Sequence, residues 1–284
     1  MVVTVFGDLI SQHKGWVWLG SLINLLQPMG YNERLVRTAV YRLTQTDWLQ
    51  VKKIGRRSYY RFTDTAQGHY EKAARRIYAD NHADWDGSWI LVSTALLSDE
   101  KKEELRKNLL WQGFNTLSSG LFAHPSSDHT SLDEIIDEQQ LEGEVVVLSA
   151  KTTDTPSKEA LKKLVKNRWN FDELEMFYNN FIEFYRPLSR QSFLSTLSNR
   201  NSTLIRLLLI HDYRRILLRD PDFPASMLEE GWLGHKAQLL VKKMYTSLAK
   251  GSISDICQTL ENEQGLLTSP SPSFYKRFGG LPHH

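Results

Sequence analysis

Arg34, Arg37, Thr38, Tyr41 and Gln45 fall at spacings that gather them on one side of a helix, and they are residue types that touch duplex DNA. Arginine spans guanine O6 and N7, threonine meets a thymine methyl or a phosphate, and a tyrosine hydroxyl suits phosphate. On a wheel of about 100° per residue with Leu35 at zero, the apolar residues Leu35, Val36, Ala39, Val40 and Leu43 centre near about +70°, and the polar set lies opposite. Arg42 sits at the boundary, where a phosphate or an ion pair with Asp47 or Glu33 suits it equally. A solvated helix surface would use the same residues, so this segment alone does not decide. The next one does. Lys52, Lys53, Arg56, Arg57 and Arg61 put five cations between Val51 and Thr63 with no acid among them. So charged a ribbon repels itself, and phosphate oxygens would relieve it with steeply salt-dependent binding. Arg56 and Arg57 suit a narrow minor groove. A basic hairpin also serves to guard an edge strand, and it is the pairing with the helix face that points to DNA.

Other chemistry is thinly represented. No nucleophile-elbow, nucleotide-phosphate or dinucleotide signature is present. A metal-dependent nuclease would want a carboxylate near the end of the strand starting at Trp89, and Ser93-Thr94-Ala95 offers none. Asp133, Glu134, Asp137 and Glu138 read as solvated charge on a surface helix. His124 and His129 flank Pro125 and Asp128 in a predicted loop, where a metal pair and ordinary loop composition are both open readings. The single Cys257 can close no intrachain disulfide, in keeping with a reducing compartment. The expectation is no catalytic residue, no metal and no cofactor. A metal-dependent nucleic-acid enzyme built on the middle of the chain stands as the alternative from another class.

The elements that must carry the basic residues are legible. Gly15–Leu19 is strand-capable, Ser21 can cap a short helix through Leu26, and Pro28 and Gly30 break the chain. Asn32 is a good N-cap with Glu33 in the first turn, so a recognition helix is predicted over Asn32–Thr46. Trp48–Ile54 and Ser58–Thr63 read as strands joined at Gly55-Arg56-Arg57. Helix, small strand, helix, turn, helix and hairpin is the order of a winged helix-turn-helix. Asp64–Tyr78 reads as a connecting helix and Asn81–Gly87 as the boundary. Beyond it, strands at Trp89–Ala95, Phe114–Leu117, Gly120–Ala123 and Val145–Ala150 alternate with helices at Ser98–Trp111 and Ser131–Gln139. That βαββαβ order predicts a ferredoxin-like sandwich. From Pro156 the pattern is helical: Lys158–Asn167, Phe171–Tyr185, Leu204–Arg219 and His235–Lys250. The Ser/Pro/Gly-rich 268–284 reads as a loose tail, and His283-His284 as a possible tag remnant.

The 284 residues thus divide into a DNA-binding domain (1–80), a ferredoxin-like domain (88–155) and an all-helical domain (156–284), an α+β multidomain class. Residues 1–80 carry twelve Lys and Arg against six Asp and Glu, a formal +6, while the remainder is −4. A basic module on a mildly acidic body follows. No run approaches the ~20 apolar residues of a membrane span and no signal peptide is legible, so a cytoplasmic protein is expected.

The stretches VFGDLI (5–10), VWLGSLINLL (17–26), NERLVRTAVYRL (32–43), GRRSYYRFT (55–63), ARRIY (74–78) with WDGSW (85–89), and HDYRRILLRDP (211–221) with GWLGHKA (231–237) resemble the PaaX family, repressors of phenylacetic acid degradation operons. The resemblance runs over almost the whole chain. It implies a cytoplasmic, homodimeric repressor that leaves double-stranded operator DNA on binding phenylacetyl-coenzyme A, with a central domain similar to the Cas2 fold. Carried over, Arg34, Arg37, Thr38 and Arg42 are recognition-helix positions, and Arg56 and Arg57 belong to the wing. The acyl-coenzyme A site is less sharply placed; His211, Arg214, Arg215 and Trp232 are its candidates. The helix holding the first three is apolar on most faces, so its arginines need partners: Asp212, Asp220 or Glu229 in an ion-pair network, or the coenzyme's phosphates, with neighbouring aromatic rings stacking on it. A related regulator answering to another acyl-coenzyme A or aromatic acid fits the same residues.

Overall fold

The computed structural model describes residues 1–79, 85–125, 129–152 and 155–282. They form two compact units. The first comprises the described parts of Met1–Asn81, Phe181–Arg214 and Ala237–His284, and the second those of His82–Asn180 and Arg215–Lys236. Compactness therefore cuts across the linear division at residues 80, 88 and 156, because the C-terminal helices serve both units.

In the first unit, α1 (Val2–Thr4) opens a continuous helical segment that widens to a π turn at Val5–Leu9 and tightens at Ile10–Gln12. Val5, Phe6, Leu9 and Ile10 are all buried. Gly7 is required there: a Cβ on it would lie 1.9 Å from the Tyr70 ring. Next come β1 (Val17–Trp18), α2 (Leu19–Leu26), α3 (Glu33–Gln45), β2 (Leu49–Ile54), β3 (Arg57–Phe62) and α4 (Asp64–Ile77). The strands form an antiparallel sheet of order β1-β3-β2. Ser21 is not the cap of α2. The helix begins at Leu19 behind an extended Trp18, and the Ser21 hydroxyl accepts the Glu261 amide instead. Thr63 caps α4, accepting from the Ala66 amide at 3.1 Å.

The rest of this unit comes from the end of α8 (Phe171–Leu188), the short α9 (Gln191–Leu194), α10 (Asn199–Leu217), most of α11 (Leu233–Thr259), the hairpin β8 (Glu261–Asn262) and β9 (Gly265–Leu266), and α12 (Pro272–Tyr275). Leu207, Ile256, Leu260 and Leu267 join the core of Val17, Leu22, Leu25, Val36, Val40, Leu49 and Phe62. The C-terminal segment is not a loose tail. Phe274, Arg277, Phe278 and Leu281 are buried, and a composition rich in Ser, Pro and Gly hides the few large residues that anchor it. His283-His284 lie outside the described residues.

The second unit holds β4 (Trp89–Ser93), α5 (Asp99–Trp111), β5 (Asn115–Ser118), β6 (Leu121–His124), α6 (Thr130–Glu138), β7 (Val146–Ala150) and α7 (Thr155–Arg168). Its antiparallel sheet runs β5-β6-β4-β7, the strand order of a βαββαβ sandwich. Because side chains alternate along a strand, Ile90 and Val92 of β4 face Leu105, Leu109, Leu132 and Ile135 of α5 and α6. Trp89 and Leu91 face the other layer, with Leu161, Val165, Trp169 and Phe223. Both faces are covered. His124 is fixed within this unit, its Nε2 at 2.5 Å from the Pro221 carbonyl and its ring against Phe114 and Phe223. Among the described residues no three His, Cys, Asp or Glu gather as a metal would need. No helix there is long and apolar enough to cross a membrane.

Candidate nucleic-acid interface

The turn ahead of α3 is made by Gly30 at φ +85, a left-handed conformation that glycine adopts freely. Asn32 then caps the helix, its Oδ1 accepting from the Leu35 amide at 2.9 Å. At the other end Asp47 stands at φ +55, the Trp48 amide donates to the Leu43 carbonyl and the Asp47 amide to that of Thr44. These two bonds are those of a Schellman motif and fix where the chain leaves for β2. Held at both ends, α3 buries Val36 and Val40 and half-buries Ala39 and Leu43. Leu35 does not join that stripe. It is 54% exposed, and Tyr41 is 64% exposed. The stripe is one residue narrower than its hydrophobicity suggests, since Leu35 lies at its rim.

Arg34, Arg37, Thr38, Tyr41 and Arg42 are all exposed. Arg37 is oriented along the helix by Glu33, Nε to Oε1 at 2.8 Å. Arg42 pairs with neither Asp47 nor Glu33; the Asp47 backbone turns away in its left-handed conformation, and Glu33 is engaged by Arg37. The outward face is thus a run of cations around two exposed side chains, Leu35 and Tyr41, that offer apolar contact.

The β2–β3 hairpin sorts its five cations by register. Lys52↔Tyr59, Ile54↔Arg57, Gln50↔Arg61 and Trp18↔Tyr59 pair across the strands, so Lys52, Arg57, Arg61 and Trp18 share one face. On that face the Arg57 guanidinium lies over Trp18 at 4.2 Å and that of Arg61 over Trp16 at 5.1 Å. Arg57 also meets Glu261 at 2.6 Å and Lys52 meets Glu263 at 3.7 Å. The hydrogen bond from Arg57 to Glu261 raises its pKa further above the ordinary arginine value. Lys53, on the opposite face beside Ser58, and Arg56, in the turn, are exposed and make no ion pair among the described residues. The two tryptophans and the two glutamates that sort the hairpin were not singled out from the sequence. The Trp-Val-Trp alternation beside a basic ribbon is the signal for the first pair, and nothing local announces the second.

Behind this surface lies a buried charge centre that sequence reasoning also missed. Asp8 is fully buried, and its carboxylate receives Arg206 Nε at 3.0 Å, Arg277 Nη1 at 2.9 Å, the Tyr78 hydroxyl at 2.7 Å and the Tyr245 hydroxyl at 2.8 Å. Both guanidinium groups also donate to the Asp8 carbonyl, and Tyr70 bonds to Tyr78 at 3.0 Å. Burial alone would raise the Asp8 carboxyl; Arg206 and Arg277, then the two tyrosines, outweigh it and hold the pKa below its ordinary value. Nearby, burial lowers His13 to about 4, against a bond at 2.5 Å to the Thr268 carbonyl that keeps the proton on Nδ1. This centre ties the segment before β1 to α4, α10, α11 and the C-terminal residues, the frame on which α3 and the hairpin stand.

The candidate effector residues divide between the units: His211 and Arg214 belong to the first, Arg215 and Trp232 to the second. His211 Nδ1 lies 3.0 Å from Thr4 Oγ1. Arg214 is half-buried, its Nε makes no hydrogen bond, and burial lowers its pKa. Arg215 is exposed, and Trp232 is half-buried, edge-on to Phe171 and Tyr178. Of the carboxylates expected to pair with these arginines, Asp212 accepts from Tyr185, Asp220 from Tyr178 and Glu229 from Lys166. Among the described residues the buried arginines are Arg206 and Arg277. A cavity of about 190 Å³ lined by Phe6, Lys14, Arg61 and Gln67 is smaller than the roughly 300–1,000 Å³ of ligand pockets.

Residues 1–66 match the family described as PaaX-like protein, residues 82–162 the PaaX protein central Cas2-like domain, and residues 169–255 the PaaX-like protein C-terminal domain. The transcriptional repressor PaaX of Escherichia coli (strain K12) is 34% identical over 283 residues, covering 99% of this chain and 90% of that protein. The solved structure of the uncharacterized protein Rv0674 from Mycobacterium tuberculosis is similar with a TM-score of 0.55 at 19% identity, over 87% of this chain and 94% of that one, a likeness of fold. The three matched segments follow one another along the sequence, and the likeness to the repressor is nearly end to end: the chain belongs to the PaaX family.

Proposed function

We propose that this protein is a cytoplasmic transcriptional repressor of a phenylacetate catabolic operon. Its first 80 residues act as a winged helix-turn-helix, with α3 in the major groove and the β2–β3 hairpin as the wing along the neighbouring backbone. The observation that carries the reading is the outward face of α3, where Arg34, Arg37, Thr38, Tyr41 and Arg42 are all exposed on a helix fixed at both ends. The repressor named among its relatives supports it. Two heads in a homodimer would read a pseudo-palindromic operator in grooves one helical turn or a multiple apart. The ligand that releases them is an acyl-coenzyme A thioester, phenylacetyl-coenzyme A on the family resemblance, with His211, Arg214, Arg215 and Trp232 as its candidate contacts.

A gel shift on the protein's own upstream region with a panel of acyl-coenzyme A esters tests this. Salt-sensitive binding that phenylacetyl-coenzyme A reverses is the expected result, and the effector must then bind less tightly to the operator complex than to free protein. Release by a different thioester would keep the repressor and replace its ligand. Failure to retain any duplex would overturn the proposal, as would cleavage of labelled DNA when divalent metal is added.

A further inference from the structure

We infer that Glu261 and Glu263 are positioning residues for DNA binding: they occupy Lys52 and Arg57 in place of two backbone phosphates and so limit how much of the wing a duplex can engage. The inference rests on the reading of β2–β3 as a DNA-binding wing. The two glutamates stand on the β8–β9 hairpin, whose feet do not drift. Leu260 and Leu267 are buried in the core of the first unit and joined by a backbone bond of 2.9 Å, and the Glu261 amide is fastened to Ser21 Oγ of α2 at 3.1 Å. From this base Glu261 reaches Arg57 at 2.6 Å and Glu263 reaches Lys52 at 3.7 Å. Glu263 is largely covered, and its Oε2 is buried without a hydrogen bond. A carboxylate in such a place is costly to keep, and the neighbouring ammonium is what makes it tolerable.

Counterions leave the duplex where a protein cation neutralises a phosphate, and a cation already paired with a carboxylate brings no net charge to do so. Lys53 and Arg56, with no carboxylate partner among the described residues, can neutralise a phosphate directly, whereas Lys52 and Arg57 must first shed one. The C-terminal hairpin therefore withholds two sequence-independent contacts, which lowers affinity for every duplex alike and leaves selectivity to α3.

The full chain carrying Glu261→Gln and Glu263→Gln tests this against a random duplex and the protein's own upstream duplex. The slope of log affinity against log salt should steepen by about 1.8, two phosphates' worth, so that the variant's advantage on random DNA shrinks about twelvefold between 50 and 200 mM salt. Both duplexes should gain alike, so preference for the upstream duplex should stay as it was. An unchanged slope, or weaker binding to both duplexes, would overturn the inference. Should the double variant unfold, Glu261→Gln alone, at the more exposed of the two carboxylates, should steepen the slope by about 0.9, one phosphate's worth, whereas Lys53→Gln with Arg56→Gln should flatten it by about 1.8. An unchanged slope from Glu261→Gln overturns the inference. Wild-type protein that holds neither duplex fails the DNA-binding reading itself, a result separate from a salt-sensitive wild type whose slope the glutamates do not alter.

Discussion

Arg37 and Lys53 carry the same charge and should do different work. Arg37 projects from the outward face of α3 with its guanidinium paired to Glu33, while Lys53 is an exposed ammonium on a strand with no ion pair among the described residues. Replacing Arg37 with Ala should relax base preference at one position by about 1–3 kcal/mol. Replacing Lys53 should weaken all duplexes alike and flatten the salt slope by about 1. Competition binding with single-base operator variants separates the two, and the converse pattern would exchange their roles. These residues were visible in the sequence because residue type and helical spacing are local properties. Leu35 marks the limit of that logic. Periodicity places it within the apolar stripe, but how wide a stripe is buried depends on the partner surface, and here the surface stops short of it.

The same limit governs whole elements. The ends of α3, the hairpin and the βαββαβ order were legible, since caps, turns and alternation act over a few residues. The C-terminal segment was not: its stabilising partner, Asp8, is 269 residues distant. Arg277→Met should destabilise the fold by about 3 kcal/mol, because it takes a cation from a buried carboxylate. Asp8→Asn in that background should cost less than the sum of the single changes, as expected of groups in one network. Urea unfolding of the four proteins measures both, and additivity would show that Arg277 is held by packing alone. The end of α3 permits a change of opposite sign. Asp47 adopts a left-handed conformation that costs an L-residue roughly 1–2 kcal/mol, and the bonds of the motif are backbone ones. Asp47→Gly should therefore stabilise by about 1 kcal/mol at most, read as a raised unfolding midpoint.

For the molecule as a whole, acid acts through two buried groups in successive windows. His13 has a folded pKa of about 4 against 6.5 unfolded. Between those values the unfolded chain binds a proton that the folded one does not, so stability is complete above about pH 6.5 and falls as pH drops toward 4, by on the order of 3 kcal/mol. Asp8, whose folded pKa lies below the ordinary 3.8, adds a second loss as pH falls below that value. Unfolding free energy measured from pH 7 to 3 should show the first decline in wild type and not in His13→Gln. A flat profile above pH 4 would contradict it.

The meeting of Asp8 with Arg277 also has a consequence for biosynthesis. At translation rates of about 5–20 residues per second, roughly 13–54 s separate the two codons. During that interval the basic head carries a carboxylate destined for burial whose set of counter-charges, Arg206 and then Arg277, is incomplete. A nascent or prematurely terminated polypeptide lacks the frame on which α3 stands. Competence to hold DNA should thereby depend on a chain that extends through Arg277, and messages broken before its codon should yield few partial products able to do so.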